Sequence, residues 1–503
     1  MAEKNRASAL AIVKEVTAGT YVVPSTGTEF IALQEGFSFS PNFQTLENGE
    51  IRSSIGRSKS IQGLESPEGS FDHYLRHSGV EGTAPSYGPL IESVLGSVSS
   101  NGTERLTGAA STVSVVKLAS GGSDFARGKA VLVKDGTNGF SIRPVLSVST
   151  NDLTLGFNLA NAPASGIGVG KCVNYAPANE GHPSLSMTLY RGNGGAVEAV
   201  AGARISEMAI SVAAGELVNA SFSFEATKYF FDPITITSST DTLDFEDDDG
   251  VVAATIPAGT YRDPHELAAA VTSAMNTANG TETALCVYLD ASGKFKITST
   301  GTLLSLLWNT GANTAQTIGG KLGFVTASDD TGTAAATGYT SDNAIVLANV
   351  IVPTYDSADP QAAKNNEVLV GDADDLTCFC ASSADITITN EIVDVECVCA
   401  ESGVQDKVYS LRTIEIALVG VLERYDADKF KKYRANEDVQ FLYNFGSKSG
   451  GNWVAGKACS IYVPSASVSA FELGDNNGLV TMEITIAPFV GTTGLGEFYI
   501  NFL

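Results

Sequence analysis

The sequence predicts a mainly β protein. Two β-sandwich or half-barrel domains, each flanked by a short helix, are joined by a small inserted β-barrel and an inserted α+β module. Three observations carry that expectation: a hairpin that occurs twice, a run of short strands that interrupts the first domain, and a middle segment with its own capped helix.

In residues 204–226, Val218, Ala220, Phe222 and Phe224 alternate with Asn219, Ser221, Ser223 and Glu225. In residues 457–489, Val480, Met482, Ile484 and Ile486 alternate with Thr481, Glu483 and Thr485. A period of two puts the apolar set on one face and the polar set on the other, which is a half-buried strand. Each is preceded by another strand-like run (Ile205–Val212, Ile461–Leu473) and a polar turn (Ala213–Glu216, Gly474–Gly478). Each therefore reads as a β-hairpin.

At 503 residues the chain exceeds one ordinary core. Its 31 basic against 56 acidic residues give a net charge of −25, which argues against a surface that grips nucleic acid. A surface that must avoid gripping it stays open. The 51 glycines, with many Thr, Ser and Val, favour strands and turns. The opening MAEKNRAS is charged and leads into only a short apolar run, so no signal peptide is expected. No stretch approaches the roughly 18 apolar residues of a membrane span. Seven cysteines in that setting are expected as reduced thiols.

In chain order, Leu10–Pro24 is β-prone and reads as an arm or edge strand. Phe30–Ser40 follows as a strand with Phe37 and Phe39 on one face. Pro41–Gly63 is polar and reads as one long exposed hairpin loop, the kind that tends to be functional. Ser70–Leu75 resumes a strand, and Tyr87–Leu95 has the apolar spacing of a short helix begun near Pro89. The first domain is thus expected over residues 1–100 plus 180–230. Residues 101–179 interrupt it with strand-like runs at Val113–Leu118, Ala130–Lys134, Ser141–Val148, Leu153–Phe157 and Cys172–Tyr175, which suggest the barrel.

Residues 231–344 form the α+β module. Asp263, Pro264 and Glu266 supply an N-cap, a first-turn proline and a capping-box glutamate ahead of Leu267, Val271 and Met275. Residues 345–503 then repeat the first domain. Leu376–Cys380 and Asp385–Ile388 stand for its first strands, Ser410–Leu422 for Ser70–Leu75, and Asp426–Arg434, capped by Asp426, for its helix. Gln440–Tyr443 and the closing hairpin complete the series.

Chemistry is sparse. His73 and His77 have a metal-binding spacing only on a helix, and this stretch reads as a strand with the rings at the surface. GIGVGK (Gly166–Lys171) lacks the strand–loop–helix context of a phosphate loop and reads as a barrel turn. Cys378 and Cys380, like Cys397 and Cys399, form C-x-C pairs. Small buried residues are the first expectation for them, with a cross-strand disulfide or a metal site left open. The acidic run Glu246–Asp249 lacks calcium-loop spacing. Trp308 and Trp453 read as core. No nucleophile, acid–base pair, metal or cofactor motif presents itself, so neither an enzyme nor a cofactor is expected.

Several phrases carry a family resemblance: IVKEVTAGTYVVP (Ile12–Pro24), GFSFS (Gly36–Ser40), GSFDHYL (Gly69–Leu75), MAISVAAGELVNASFSFEA (Met208–Ala226) and GNWVAGKACSIYVPSASVSAF (Gly451–Phe471). The chain resembles the major tail tube proteins of long-tailed, siphovirus-type bacteriophages. The resemblance implies tube domains of sandwich or half-barrel form, six of which close a ring through their sheet edges. The rings stack into a tube that conducts DNA, so two domains in one chain imply homotrimeric, pseudo-sixfold rings around an acidic lumen. Candidate lumen-facing residues are Asn219, Ser221, Ser223, Glu225, Thr481, Glu483 and Thr485, with outer solvent as their other possible environment. Candidate ring-to-ring contacts are Ile12, Val13, Lys14, Glu15 and Tyr21 in the arm, and Glu47, Glu50, Arg52, Arg57 and Lys59 in the loop. The implied partners are further copies of the chain, a tape-measure protein and terminator or tip proteins. The implied location is the virion tail, assembled in the host cytoplasm, with no membrane involved. The rival reading is a tail fibre or surface adhesin with tandem β-domains.

Overall fold

The computed structural model describes residues 5–50, 55–192, 196–279, 282–345, 351–422, 427–490 and 496–503. The mainly β expectation holds. One connected system of seventeen strands runs through both copies, and smaller sheets build the inserts. Three α-helices occur among the described residues: Gly88–Leu95, Pro264–Ala278 and Ala427–Ala435.

Each copy is organised by one long strand, Val197–Ala213 in the first and Asn452–Asn476 in the second. Its first half pairs with Leu185–Tyr190 and Lys228–Phe231 in the first copy, and with Val439–Ser449 and Tyr499–Phe502 in the second. Its second half turns into another sheet and pairs with the hairpin partner, Asn219–Glu225 or Leu479–Pro488. A bulge bends a strand so that it can serve two sheets. The bulges fall at the same places. Register slips at residues 201–202 and 206 in the first copy, and at 464–465 and 469 in the second. At the first bend Gly202 has φ +67, a conformation that disfavours any side chain. The second copy bends at Pro464 instead.

The duplication continues outward. Ser38–Ser40, Glu68–Tyr74, Asn219–Glu225 and the second half of Val197–Ala213 lie side by side in that order. Ala381–Glu396, Val404–Val421, Leu479–Pro488 and the second half of Asn452–Asn476 repeat it. The two sets are joined within the chain. Glu207, Ala209, Ser211 and Ala213 pair antiparallel with Thr389, Thr387, Asp385 and Ser383. Eight strand segments therefore form one continuous sheet. Its apolar face, with Phe71, Phe222, Met208, Ile210, Ile386, Ile416, Met482 and Ile484 all buried, belongs to a single hydrophobic core that spans both copies.

The inserts have cores of their own. Six short strands between Arg105–Leu106 and Gly168–Val169 pair in series, and the bridge from Thr107 to Leu118 brings the first back to the last, closing a small barrel. Val116, Val131, Val145 and Leu153 fill it. Cys172–Pro177, expected within the barrel, instead lies in the large sheet between Gly96–Asn101 and Tyr499–Phe502. In the α+β module the Asp263 side chain accepts from Glu266 N at 2.8 Å, capping a helix whose Leu267, Val271 and Met275 are buried. Trp308 lies in this core and Trp453 in another.

Several local expectations change. Leu10–Pro24 is not a free arm: Ala9–Lys14 is sandwiched between Phe30–Ile31 and Leu185–Tyr190, because Leu10 and Ile12 fill the main core while Ala9 and Ala11 pack on Phe30. Phe30–Ser40 is two short strands rather than one. Val480 is exposed, lying one step from the two-residue turn at Asn477 and Gly478, which both have positive φ as a tight hairpin turn requires. The expected cap Asp426 lies outside the described residues. Cys378, Cys380 and Cys399 are exposed and Cys397 half-buried, all as free thiols. They lie in segments flanking the strand Ala381–Glu396 at its two ends, so the two pairs do not converge, and between Cys378 and Cys380 it is Phe379 that enters the core.

His73 and His77, expected at the surface, are buried, at 1% and 2% exposure. His73 shares the inward parity of Phe71 and Leu75 and donates Nδ1–H to the Ala32 carbonyl at 2.6 Å. Neither ring nitrogen of His77 has a hydrogen-bond partner among the described residues. Burial holds both rings neutral, with pKa lowered to about 4, and the Arg76 and Lys457 charges add to the shift. An unfolded histidine titrates near 6.5, so the stability each neutral ring contributes is complete above that pH and is lost as pH falls toward 4. The expected loss is about 2 kcal/mol per ring at about pH 5. Thermal unfolding followed by circular dichroism should show the midpoint falling over this window, and His77→Phe should flatten the fall. An equally steep fall in the variant would contradict the assignment.

Candidate functional site

The polar face of the continuous sheet runs unbroken across both copies. Antiparallel partners directly opposite each other share a face, so the pairing list fixes its rows. One row runs Tyr74, Asn219, Ser211, Asp385, Ala417, Thr485, Ala470. The next runs Asp72, Ser221, Ala209, Thr387, Glu415, and the one beyond it Ser70, Ser223, Glu207, Thr389, Thr413. On the other side lie Ser383, Val419, Glu483 and Glu472, then Val421, Thr481 and Gly474. Asp72, Glu207, Asp385, Glu415, Glu472 and Glu483 all sit on these rows, and the rows contain neither Lys nor Arg.

All seven residues singled out on the hairpins fall on this face. Bulge alignment makes Asn219 the counterpart of Thr481, Ser221 of Glu483 and Ser223 of Thr485. Their settings differ. Glu483 is exposed, Thr485 half-buried, and Thr481 only 4% exposed. Glu225 lies at the margin, where it faces Arg204 and accepts from Lys407 Nζ at 3.1 Å. Lys407 is itself fully buried and also binds Asp394 at 2.5 Å. This ion pair ties the second copy's hairpin to the first copy's strand.

The loop candidates occupy a projecting hairpin, Phe43–Leu46 paired with Ile61–Glu65. Glu47 and Arg57 form an exposed pair at 3.5 Å, Glu50 and Lys59 are exposed, and Arg52 lies outside the described residues. The second copy has a matching projection, the far ends of Ala381–Glu396 and Val404–Val421. The two touch where Glu65 N donates to Ser402 O at 3.1 Å. Arg262 fastens the junction, reaching Glu65 at 2.6 Å and Glu401 at 3.0 Å. Phe43, Leu46, Ile61, Val393, Val395 and Val398 are exposed on these projections.

The arm candidates are engaged inside the chain. Ile12 is in the core and Val13 half-buried in the same strand. Lys14 binds Glu92 at 2.9 Å. Glu15 accepts from Gly19 N, Gly202 N and Ser186 Oγ, each at 2.8 Å, and burial raises its pKa. Tyr21 shares a hydrogen bond with Thr188 at 2.8 Å and packs on Phe230. No grouping of His, Cys, Asp or Glu suited to a metal ion occurs among the described residues.

The site is thus a projecting hairpin beside an acidic sheet face that is joined edge to edge and whose rows hold neither Lys nor Arg. A family model described as phage tail tube protein matches residues 5–262. The chain belongs to the phage tail tube protein family. The match covers the first copy, the barrel and the start of the module, and the second copy repeats the first copy's strand order. No curated protein matches the chain. Family membership makes the chain a structural component of the virion tail that assembles with itself into a tube.

The hairpin alternation identified only part of the face. Asp72, Asp385 and Glu415 lie in strands whose alternation is equally readable, but Glu207 and Glu472 lie past bulges, at 206 and 469, that reset the parity. Glu472 and Glu483 are directly opposite. Like charges so placed destabilise a sheet by about 0.2–1 kcal/mol. Glu483→Gln is therefore expected to raise the stability of the unassembled chain by a few tenths of a kcal/mol in denaturant titrations at low salt, with the gain shrinking at high salt. A loss of stability would mean that the two carboxylates do not oppose each other.

Proposed function

We propose that the chain is the wall-forming subunit of a phage tail tube, closing three at a time into pseudo-sixfold rings that stack around an acidic channel for DNA. In this reading residues 1–100 with 180–230 are the first tube domain and residues 345–503 the second. The barrel, whose strands lie between residues 105 and 169, and the module of 231–344 decorate the outside. The observation that carries the reading is the seam inside the chain. Two domains of the same strand order already meet edge to edge through residues 207–213 and 383–389. A ring needs only the same step repeated.

Repetition through three chains gives a barrel of about twenty-four strands. With a strand spacing of about 4.8 Å and a tilt of about 40°, its backbone diameter is about 50 Å, which leaves a wide bore. Closure also removes the open edges that an isolated sheet exposes. The acidic rows face inward, where they repel phosphate over about 8–10 Å at physiological salt. The projecting hairpins reach toward the next ring, where their exposed apolar side chains are covered. A tape-measure protein during assembly, and terminator and tip proteins at the ends, are the further partners of this reading.

Negative-stain electron microscopy of the concentrated protein should show hollow stacked rings with outer knobs in threefold arrangement. Solid fibres, or single particles at every concentration, would contradict the proposal. Glu415→Lys with Glu483→Lys should leave tubes formed but slow DNA release from virions, more so at low salt. Release at the unchanged rate would mean that these rows do not line the channel.

A further inference from the structure

Among the described residues, the sheet that joins the two copies stops at two open edges. One is Ser38–Ser40, paired only with Glu68–Tyr74. The other is the second half of Asn452–Asn476, where residues 467–476 pair only with Leu479–Pro488. The intrachain seam shows what belongs on each. The bulges match residues 207, 209 and 211 with 470, 472 and 474. Along the other strand, Ser70 matches Ala417, because Ser223 and Thr485 are equivalent and face them. Ser38 and Ser40 therefore stand where Asp385 and Thr387 stand.

What the intrachain seam buries, the open end exposes. Ile210 is 1% exposed beneath the second copy, and its counterpart Leu473 is 59% exposed. The helix Gly88–Leu95 has Leu90, Ile91, Val94 and Leu95 fully buried. Second-copy residues reach it there: Asn390 Nδ2 donates to Val94 O at 3.1 Å, and Tyr409 and Ser93 hydroxyls lie 3.3 Å apart. The counterpart helix Ala427–Ala435 leaves Phe430 and Tyr433 exposed, packed against Phe471.

We infer that Ser38–Ser40 of one chain pairs antiparallel with residues 472–474 of the next, with Ser40 opposite Glu472, Phe39 opposite Leu473 and Ser38 opposite Gly474. The partner is a second copy of this chain, and the assignment rests on the ring reading above. The two kinds of seam are unequal. Seven residues on each side form the intrachain seam, but Pro41 follows Ser40 and offers no backbone donor to extend the other. Proline beside a short edge strand also blunts that edge in the free chain, so ring closure requires concentrated chain. Rings therefore open at the seams between chains and never at the seam within one.

The test uses the full chain with Cys378, Cys380, Cys397 and Cys399 replaced by Ser. Ser40→Cys with Glu472→Cys, assembled and then oxidised with diamide, should give disulfide-linked dimers and closed trimers on non-reducing gels, because directly opposite Cβ atoms lie about 4.5–5.5 Å apart. Phe39→Cys with Glu472→Cys puts the thiols on opposite faces and should cross-link at least tenfold less. Equal yields, or no cross-link in rings visible by microscopy, would overturn the register and leave the tube reading standing. Absence of rings in the unsubstituted chain would sink both. A second variant avoids cysteine chemistry. Leu473→Glu alters an exposed position, so the monomer's melting should stay unchanged while ring formation is lost. Normal rings from this variant would also overturn the register.

Discussion

The antiparallel pairing of residues 207–213 with 383–389 is the constraint on which the architecture depends. Without it the chain would hold two half-built sheets, each with an open edge at the centre of the molecule. With it, one apolar face becomes a core shared by both copies and the opposite face becomes an unbroken polar surface. The seam also explains the burial of the helix Gly88–Leu95, whose outer side is covered by the second copy. Backbone pairing here sets side-chain burial on one face and charge placement on the other.

Bulges give the long strands their double role. A straight strand of seventeen or twenty-five residues would run far past a single sheet. Bending at matched positions lets each strand serve a back sheet with one half and the continuous sheet with the other. The inserts enter where they disturb none of this. The barrel leaves and returns through Gly96–Asn101 and Cys172–Pro177, which pair with each other. The module keeps its own core beyond Lys228–Phe231. Arg262, fixed between Glu65 and Glu401, makes the module's first segment part of the hairpin junction rather than a free appendage.

Much of this was legible in the residues. Alternation in Asn219–Glu225 and Leu479–Pro488 located both hairpins and their polar faces, and the Asp263 cap located the long helix. What alternation cannot give is the identity of the neighbour. A strand edge is made of backbone groups common to all residues, so nothing in residues 383–389 announces that they pair with 207–213. The place of the first strand is set by the same kind of constraint: Ala9, Leu10, Ala11 and Ile12 are apolar on both faces, which marks an interior strand rather than an arm. His73 falls between Phe71 and Leu75 on the inward parity, and in this strand position outweighs the polarity of the ring. The cysteines failed in the opposite sense, because a residue type that is usually buried sits here in the segments flanking a strand. Residues at the seam's free end, Leu473, Phe430 and Tyr433, carried no signal at all until their buried counterparts were known.

A cryo-electron microscopy reconstruction of the assembled tube tests the central claim most directly. The account predicts threefold symmetry with six similar inner sheets, residues 207–213 and 383–389 paired as in the single chain, and Asp385, Glu415 and Glu483 on the bore. A wall in which that seam is broken, or in which these carboxylates face the outside, would contradict it.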